Sequence, residues 1–291
     1  DLNGIVDPLK LQKGEYYDAR ISPDGNMIAL TIGKSVENDG DIWLYDIKSN
    51  SLSRFTFGPG NYGPIWSKDG KFIYYSSGVS GSEGIMVKAV NGSSSPQRIL
   101  ISKITDYLQC VTPDSKYLIY NTFAGPTQGD IFALDLKNNF KVDTLIATKN
   151  FEYGGIVSPD GKWISYGSNE TGTLELYVKT FPDMGGKWQI STNGGTGPYW
   201  STTGDKIYYL NLQYTIASVS LQTKPSLIPG NPKILFDASN ARLPNTPTNP
   251  YDLSPDGKYF IVLMKSEQRN SDNNINVVLN WKKELKEKLG Q

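Results

Sequence analysis

Apolar residues in this chain fall into short runs separated by polar turns, with no long stretch of helical periodicity before the C-terminus. Tyr16–Ile21 leads into Ser22-Pro23-Asp24-Gly25, and Met27–Ile32 leaves it. Asp39-Gly40 then opens a turn before Ile42-Trp43-Leu44-Tyr45, and Leu52–Phe57 makes a fourth run. Short runs rich in Tyr, Ile, Val and Trp suit half-buried strands. Asp-Gly between them marks hairpins, because Gly takes positive φ without steric cost.

This four-strand grammar repeats. Ser-Pro-Asp-Gly returns at Ser158–Gly161 and Ser254–Gly257, with looser copies at Ser67-Lys68-Asp69-Gly70, Thr112-Pro113-Asp114-Ser115 and Ser201-Thr202-Thr203-Gly204. Successive copies are 45, 45, 46, 43 and 53 residues apart. Such a period predicts an all-β fold, a six-bladed β-propeller filling residues 1–291 as a single domain. Second strands are expected at Phe72–Ser76, Tyr117–Asn121, Trp163–Gly167, Ile207–Leu210 and Tyr259–Met264, and third strands at Ile85–Val90, Ile131–Leu136, Leu174–Thr180, Thr215–Leu221 and Ile275–Leu279. Blade five departs from the pattern, with Thr202-Thr203 for Pro-Asp and a different turn at Asn211–Tyr214. The last repeat lacks a strand. Gly4–Leu11 is expected to supply it as an N-terminal strand closing the ring, since an open edge invites aggregation. A short C-terminal helix is expected at about 281–289, with Trp281, Leu285 and Leu289 on one face and Asn280 as its cap.

Charge narrows the function. Lys plus Arg balance Asp plus Glu at 29 each, and basic residues are not clustered, which argues against nucleic acid as a partner. No apolar run approaches a membrane span, so this chain is not expected to insert into a membrane. The first residue is Asp1 rather than Met, so something upstream is expected to have been removed or left out of the sequence. The chain has no histidine, which excludes His-dependent triads and imidazole zinc sites. The single cysteine, Cys110, lies in an apolar run and reads as a small buried hydrophobe.

Several stretches in the second half carry a resemblance. They are Ser168-Asn169-Glu170-Thr171-Gly172, Glu175-Leu176-Tyr177-Val178, Gly185-Gly186-Lys187-Trp188-Gln189-Ile190-Ser191, Tyr251-Asp252-Leu253-Ser254-Pro255-Asp256-Gly257 and Val277-Val278-Leu279-Asn280-Trp281. With the repeats, they resemble the TolB-like, WD-repeat-like six-bladed propellers of bacteria. The second half is closest to propeller regions often found behind receptor-type Ser/Thr kinase domains. The resemblance implies a sensing or scaffolding propeller and supplies no catalytic residue. It also implies a bacterial chain working in the periplasm or outside the cell.

In a propeller the first strand of each blade lines the central channel, so the residues entering it ring one mouth. Five positions before the turn serine stand Tyr17, Tyr62, Tyr107, Tyr153, Thr196 and Asn249; six before stand Tyr16, Asn61, Asp106, Glu152, Gly195 and Thr248. The tyrosines read either as inter-blade packing or as an aromatic ring that grips a ligand. Asp18 is the only acid four before the turn. Asn61, Asp106 and Glu152 offer oxygen ligands from three successive blades, a set that suits a hard cation such as calcium, or else a solvated mouth. Arg20 and Asp252, two before the turn in blades one and six, either pair with each other or meet a charged ligand.

Two functions follow. One is an extracytoplasmic binding or sensor module, expected to be monomeric. It would take a small ligand, peptide or protein at the mouth formed by Tyr16, Tyr17, Asp18, Arg20, Asn61, Tyr62, Asp106, Tyr107, Glu152, Tyr153 and Asp252, without catalysis of its own. The alternative is a calcium-dependent hydrolase or lactonase with its metal in the channel. Fold alone does not choose between them.

Overall fold

The computed structural model describes residues 2–265 apart from 12–13, 35–38, 59, 79–82, 103, 124–126, 128 and 242–250, together with the backbone of 275–278. All named elements among these residues are strands. The first sheet comprises β1 (Tyr16–Ile21), β2 (Met27–Ile32), β3 (Asp41–Asp46) and β4 (Ser51–Arg54). The second comprises β5 (Asn61–Trp66), β6 (Phe72–Ser77), β7 (Gly84–Ala89) and β8 (Gln97–Ile101). The third is built from β9 (Asp106–Val111), β10 (Tyr117–Thr122), β11 (Asp130–Asp135) and β12 (Val142–Ile146), and the fourth from β13 (Glu152–Val157), β14 (Trp163–Ser168), β15 (Glu175–Thr180) and β16 (Lys187–Gln189). The fifth holds β17 (Thr196–Trp200), β18 (Lys206–Leu210), β19 (Thr215–Gln222), β20 (Ile228–Pro229) and β21 (Lys233–Asp237). The last holds β22 (Tyr251–Leu253), β23 (Phe260–Lys265) and β24 (Ile275–Val278).

The expectation of six complete blades is therefore corrected. Five blades are complete, and the sixth sheet has three strands among the described residues. In the fifth blade the long β19 pairs with β21 along its first half and with β20 at its end. That added pairing accounts for the long spacing between the last two turns.

The turns explain why the repeat is so regular. The Ser22 hydroxyl donates to Asp24 Oδ1 at 2.6 Å and accepts the Met27 N–H at 2.9 Å, while Asp24 Oδ1 also accepts the Asn26 N–H. Gly25 sits at φ 75°, a conformation that favours glycine. Ser67, Thr112, Ser158 and Ser254 repeat the bond to an aspartate two residues on. In the fifth blade Asp205 replaces the missing turn aspartate, accepting from the Ser201 and Thr203 hydroxyls. The turn expected at Asn211–Tyr214 forms around Asn211, whose side chain accepts the Thr215 N–H, with Tyr214 at φ 57°.

The core lies between blades. Ile156, Leu176 and Val178 of the fourth blade pack with Trp200, Ile207 and Val219 of the fifth. Tyr16, Ile28 and Leu30 of the first pack with Ile261 and Leu263 of the sixth sheet. Indole N–H groups pin two of these seams: Trp66 donates to the Arg20 carbonyl and Trp200 to the Ile156 carbonyl.

The expected closing strand is also corrected. Gly4–Leu11 forms no named strand and carries one bridge residue, Pro8. Proline has no N–H to continue a ladder. The segment packs at the seam, with Leu9 and Leu11 on the cluster joining first and last sheets and Leu2 on the next cluster. The helix expected at 281–289 lies outside the described residues.

Candidate functional site

The inner strands β1, β5, β9, β13, β17 and β22 each begin near one end of the channel and finish at a turn near the other. At the starting end most of the expected site residues serve the frame. Asn61 Nδ2 donates to Asp41 Oδ1 at 3.1 Å and to the Gly58 carbonyl at 2.8 Å, and Asp41 also pairs with Arg54. Glu152 accepts the Thr148 N–H at 3.2 Å and its hydroxyl, and burial raises its pKa. Asp106 is buried, a hydrogen bond from Ser102 only partly offsets that desolvation, and its pKa rises to about 6. Asp106 Oδ2 has no partner among the described residues.

Asn61, Asp106 and Glu152 are thus engaged at three different places. Among the described residues no group of three His, Cys, Asp or Glu side chains could hold a metal ion.

Tyr16, Tyr62 and Tyr153 are buried, which favours the packing reading for them. Tyr153 bonds the Thr196 hydroxyl across a seam, and burial lifts its pKa to about 12. Tyr17 is half-buried and donates to the Lys34 carbonyl at 2.7 Å. Tyr107 is half-buried in an aromatic row, 6.5 Å from Tyr62 and 5.3 Å from Phe123, which continues through Phe151 to Tyr153. Asp18 is buried, with Oδ2 accepting the Thr31 hydroxyl and Oδ1 unpartnered among the described residues. Thr248 and Asn249 lie outside the described residues.

The opposite end holds a cavity of about 460 Å³. Its wall is the position two before the turn serine, filled by Arg20, Ile65, Cys110, Ile156, Tyr199 and Asp252 from six different sheets. Its lip is the position after that serine: Pro23, Lys68, Pro113, Pro159, Thr202 and Pro255. Arg20 and Asp252 are the two expected site residues here. Lys68, Gln109 and Tyr199 were not expected, although the repeat alignment puts Tyr199 at the same position as Arg20 and Asp252 and Lys68 just after the turn serine.

Asp252 is buried, and both its oxygens are used. Oδ2 accepts the Ile21 N–H at 2.8 Å and Oδ1 the Leu253 N–H at 2.9 Å. Desolvation raises its pKa, and Arg20 and the Tyr199 hydroxyl partly offset that rise. Arg20 Nη1 donates to the Ala19 carbonyl at 2.9 Å and forms no ion pair within 4.0 Å of Asp252. Cys110 Sγ accepts the Val157 N–H at 3.5 Å, and burial pushes its thiol pKa up, the opposite of a reactive cysteine. The cavity therefore offers a mixed apolar and polar lining with two cations, Arg20 and Lys68, and one carboxylate, Asp252.

No family model matches the sequence. Over 169 residues the chain is 30% identical to the Tol-Pal system protein TolB of Francisella tularensis subsp. tularensis (strain WY96-3418), covering 58% of this chain and 39% of that protein. The chain thus spans about two fifths of the length of the curated relatives it matches. The structure of putative TolB from Agrobacterium tumefaciens superposes with a TM-score of 0.67 at 19% identity, over 91% of this chain and 90% of that one. TolB from Acinetobacter baumannii superposes with a TM-score of 0.59 at 19% identity, over 92% of this chain and 55% of that one. At such identities the solved structures speak for the fold alone. With the repeats, the inter-blade core and the superpositions taken together, the chain is a β-propeller whose sequence is similar to part of TolB.

Proposed function

We propose that this chain is a binding propeller, without catalysis of its own, that receives a ligand or a segment of a partner protein in the turn-side cavity of its channel. The observation that carries the reading is convergence. Six sheets each aim one side chain at one cavity of about 460 Å³, which lies in the size range of ligand sites. The repeat does not ask for Arg20, Tyr199 and Asp252 there, because Ile65 and Ile156 fill the same position apolarly.

Likeness to a protein named for the Tol-Pal system supports a protein partner and a location outside the cytoplasm. No helix among the described residues is long and apolar enough to cross a membrane. Sensing on behalf of a kinase, as the second-half motifs imply, is a further part of the proposal. A kinase domain or membrane span encoded upstream of Asp1 would support it, and a sequence there with neither would count against it.

The test is a crystal soak with a small-fragment library, repeated on Ile156→Trp, which fills the cavity. The expected result is fragment density between Ile65, Ile156 and Tyr199 in the parent and none in the variant, compared at a temperature where both are folded. Fragments found only on the outer faces of the blades, unaffected by the variant, would overturn the reading.

A further inference from the structure

We propose that the turn-side cavity is a carboxylate receptor, built to take an apolar peptide residue that carries an anionic group. The inference rests on the binding reading above and names the chemistry of its ligand.

The charges lining the cavity are unequal. Arg20 and Lys68 are its cations and Asp252 its one carboxylate. Both oxygens of Asp252 already accept backbone N–H groups, from Ile21 and Leu253. Each oxygen is thus already committed to the frame, which reduces the acceptor capacity Asp252 can offer a ligand cation. Lys68 is exposed, and no carboxylate lies within salt-bridge distance of it among the described residues. Its charge is felt at the cavity wall, where it favours the thiolate form of Cys110 against a larger effect of burial. Asp24 and Asp69, the acids of the two neighbouring turns, are outside the lining and tied to Ser22 and Ser67.

Ile65, Ile156 and Trp66 stand beside the cations in a lining that also carries Gln109, Ser201, Thr202 and Ser254. The combination suits a group that is half apolar and half anionic. A C-terminal aliphatic residue with its free carboxylate is one source, and an acidic side chain next to an aliphatic residue is the other. The first acid mouth read from the sequence points toward cations; this end of the channel points the other way.

The experiment is calorimetric titration of the full chain with three short peptides of one apolar sequence: one ending in Leu as the free acid, its C-terminal amide, and an amide with an internal Asp. Binding of the free acid at least about tenfold tighter than its amide is expected, the worth of one hydrogen bond to a charged group. If the Asp-bearing amide alone binds, the carboxylate source is a side chain and the proposal stands. Lys68→Gln, an exposed change that leaves the frame intact, is expected to weaken the charged peptide about fivefold, and Arg20→Gln by at least as much. Equal affinity for acid and amide at the cavity overturns the anion proposal while leaving the binding reading in place. Silence of all three peptides to millimolar concentration overturns it too, and the fragment soak then decides the binding reading separately.

Discussion

Asp252 Oδ2 accepts the backbone N–H of Ile21 at 2.8 Å, a bond between residues 231 positions apart. It ties the last sheet to the first and closes the ring at the level of the cavity wall. Cys110 repeats the device one seam at a time, its sulfur accepting the Val157 N–H between the third and fourth blades. The same repeat position therefore serves both as ligand-facing wall and as clasp between neighbours.

Removing that clasp is expected to destabilise the whole propeller. Asp252→Ala leaves two buried N–H groups without acceptors and should cost about 2–4 kcal/mol. Asp252→Asn keeps an acceptor and should cost less than half as much. Urea unfolding of both variants checks the ordering, and an alanine variant as stable as the parent would sink it.

Stability should also depend on Asp106. Burial raises its pKa from 3.8 to about 6, so the folded chain holds that proton more tightly than the unfolded one. For an acid raised in this way, stability is fully present below about pH 4 and is lost as pH rises through 6. The loss amounts to about 2–3 kcal/mol. Asp106→Asn is expected to flatten melting point against pH between those limits and to melt higher at neutral pH. An unchanged slope in the variant would place the titration elsewhere.

Trp200 is buried with its indole N–H on the Ile156 carbonyl at 3.0 Å. Trp200→Phe keeps most of the apolar contact and loses that bond, for an expected cost of about 1–3 kcal/mol. Thermal unfolding of this variant beside Trp188→Phe, an indole on the outer strand, separates seam from surface.

Ser115 occupies a turn position at φ 56° where the other five copies carry Gly. Ser115→Gly should relieve left-handed strain and stabilise the chain by about 0.5–1 kcal/mol. A lower denaturant midpoint for the variant would show that Ser115 has a compensating contact.

The strands and turns were legible in the sequence because each turn is written in local chemistry. A hydroxyl at Ser22, an acid at Asp24 and a Gly at Gly25 dictate the bend without reference to the rest of the fold. The fifth blade was less legible, since Asp205 takes over from a position outside the motif and β20 and β21 share one long partner strand. The site was legible only in part. Repeat alignment brings Arg20 and Asp252 to one ring but treats both mouths of the channel alike. Nothing local tells that Asn61 is committed to Asp41, twenty residues back on another strand, or that Glu152 is committed to Thr148. Those commitments turn one mouth into framework and leave the cavity at the other.

Four of the six lip positions are proline: Pro23, Pro113, Pro159 and Pro255. A ring closure holds φ near one value, so this collar has little motion left to surrender when a guest arrives. The entropy of capture then falls on the guest. Among guests of equal contact, a stiff segment will be held more tightly than a floppy one, and loosening the collar with glycine would erase that preference before it touched the chemistry of the wall.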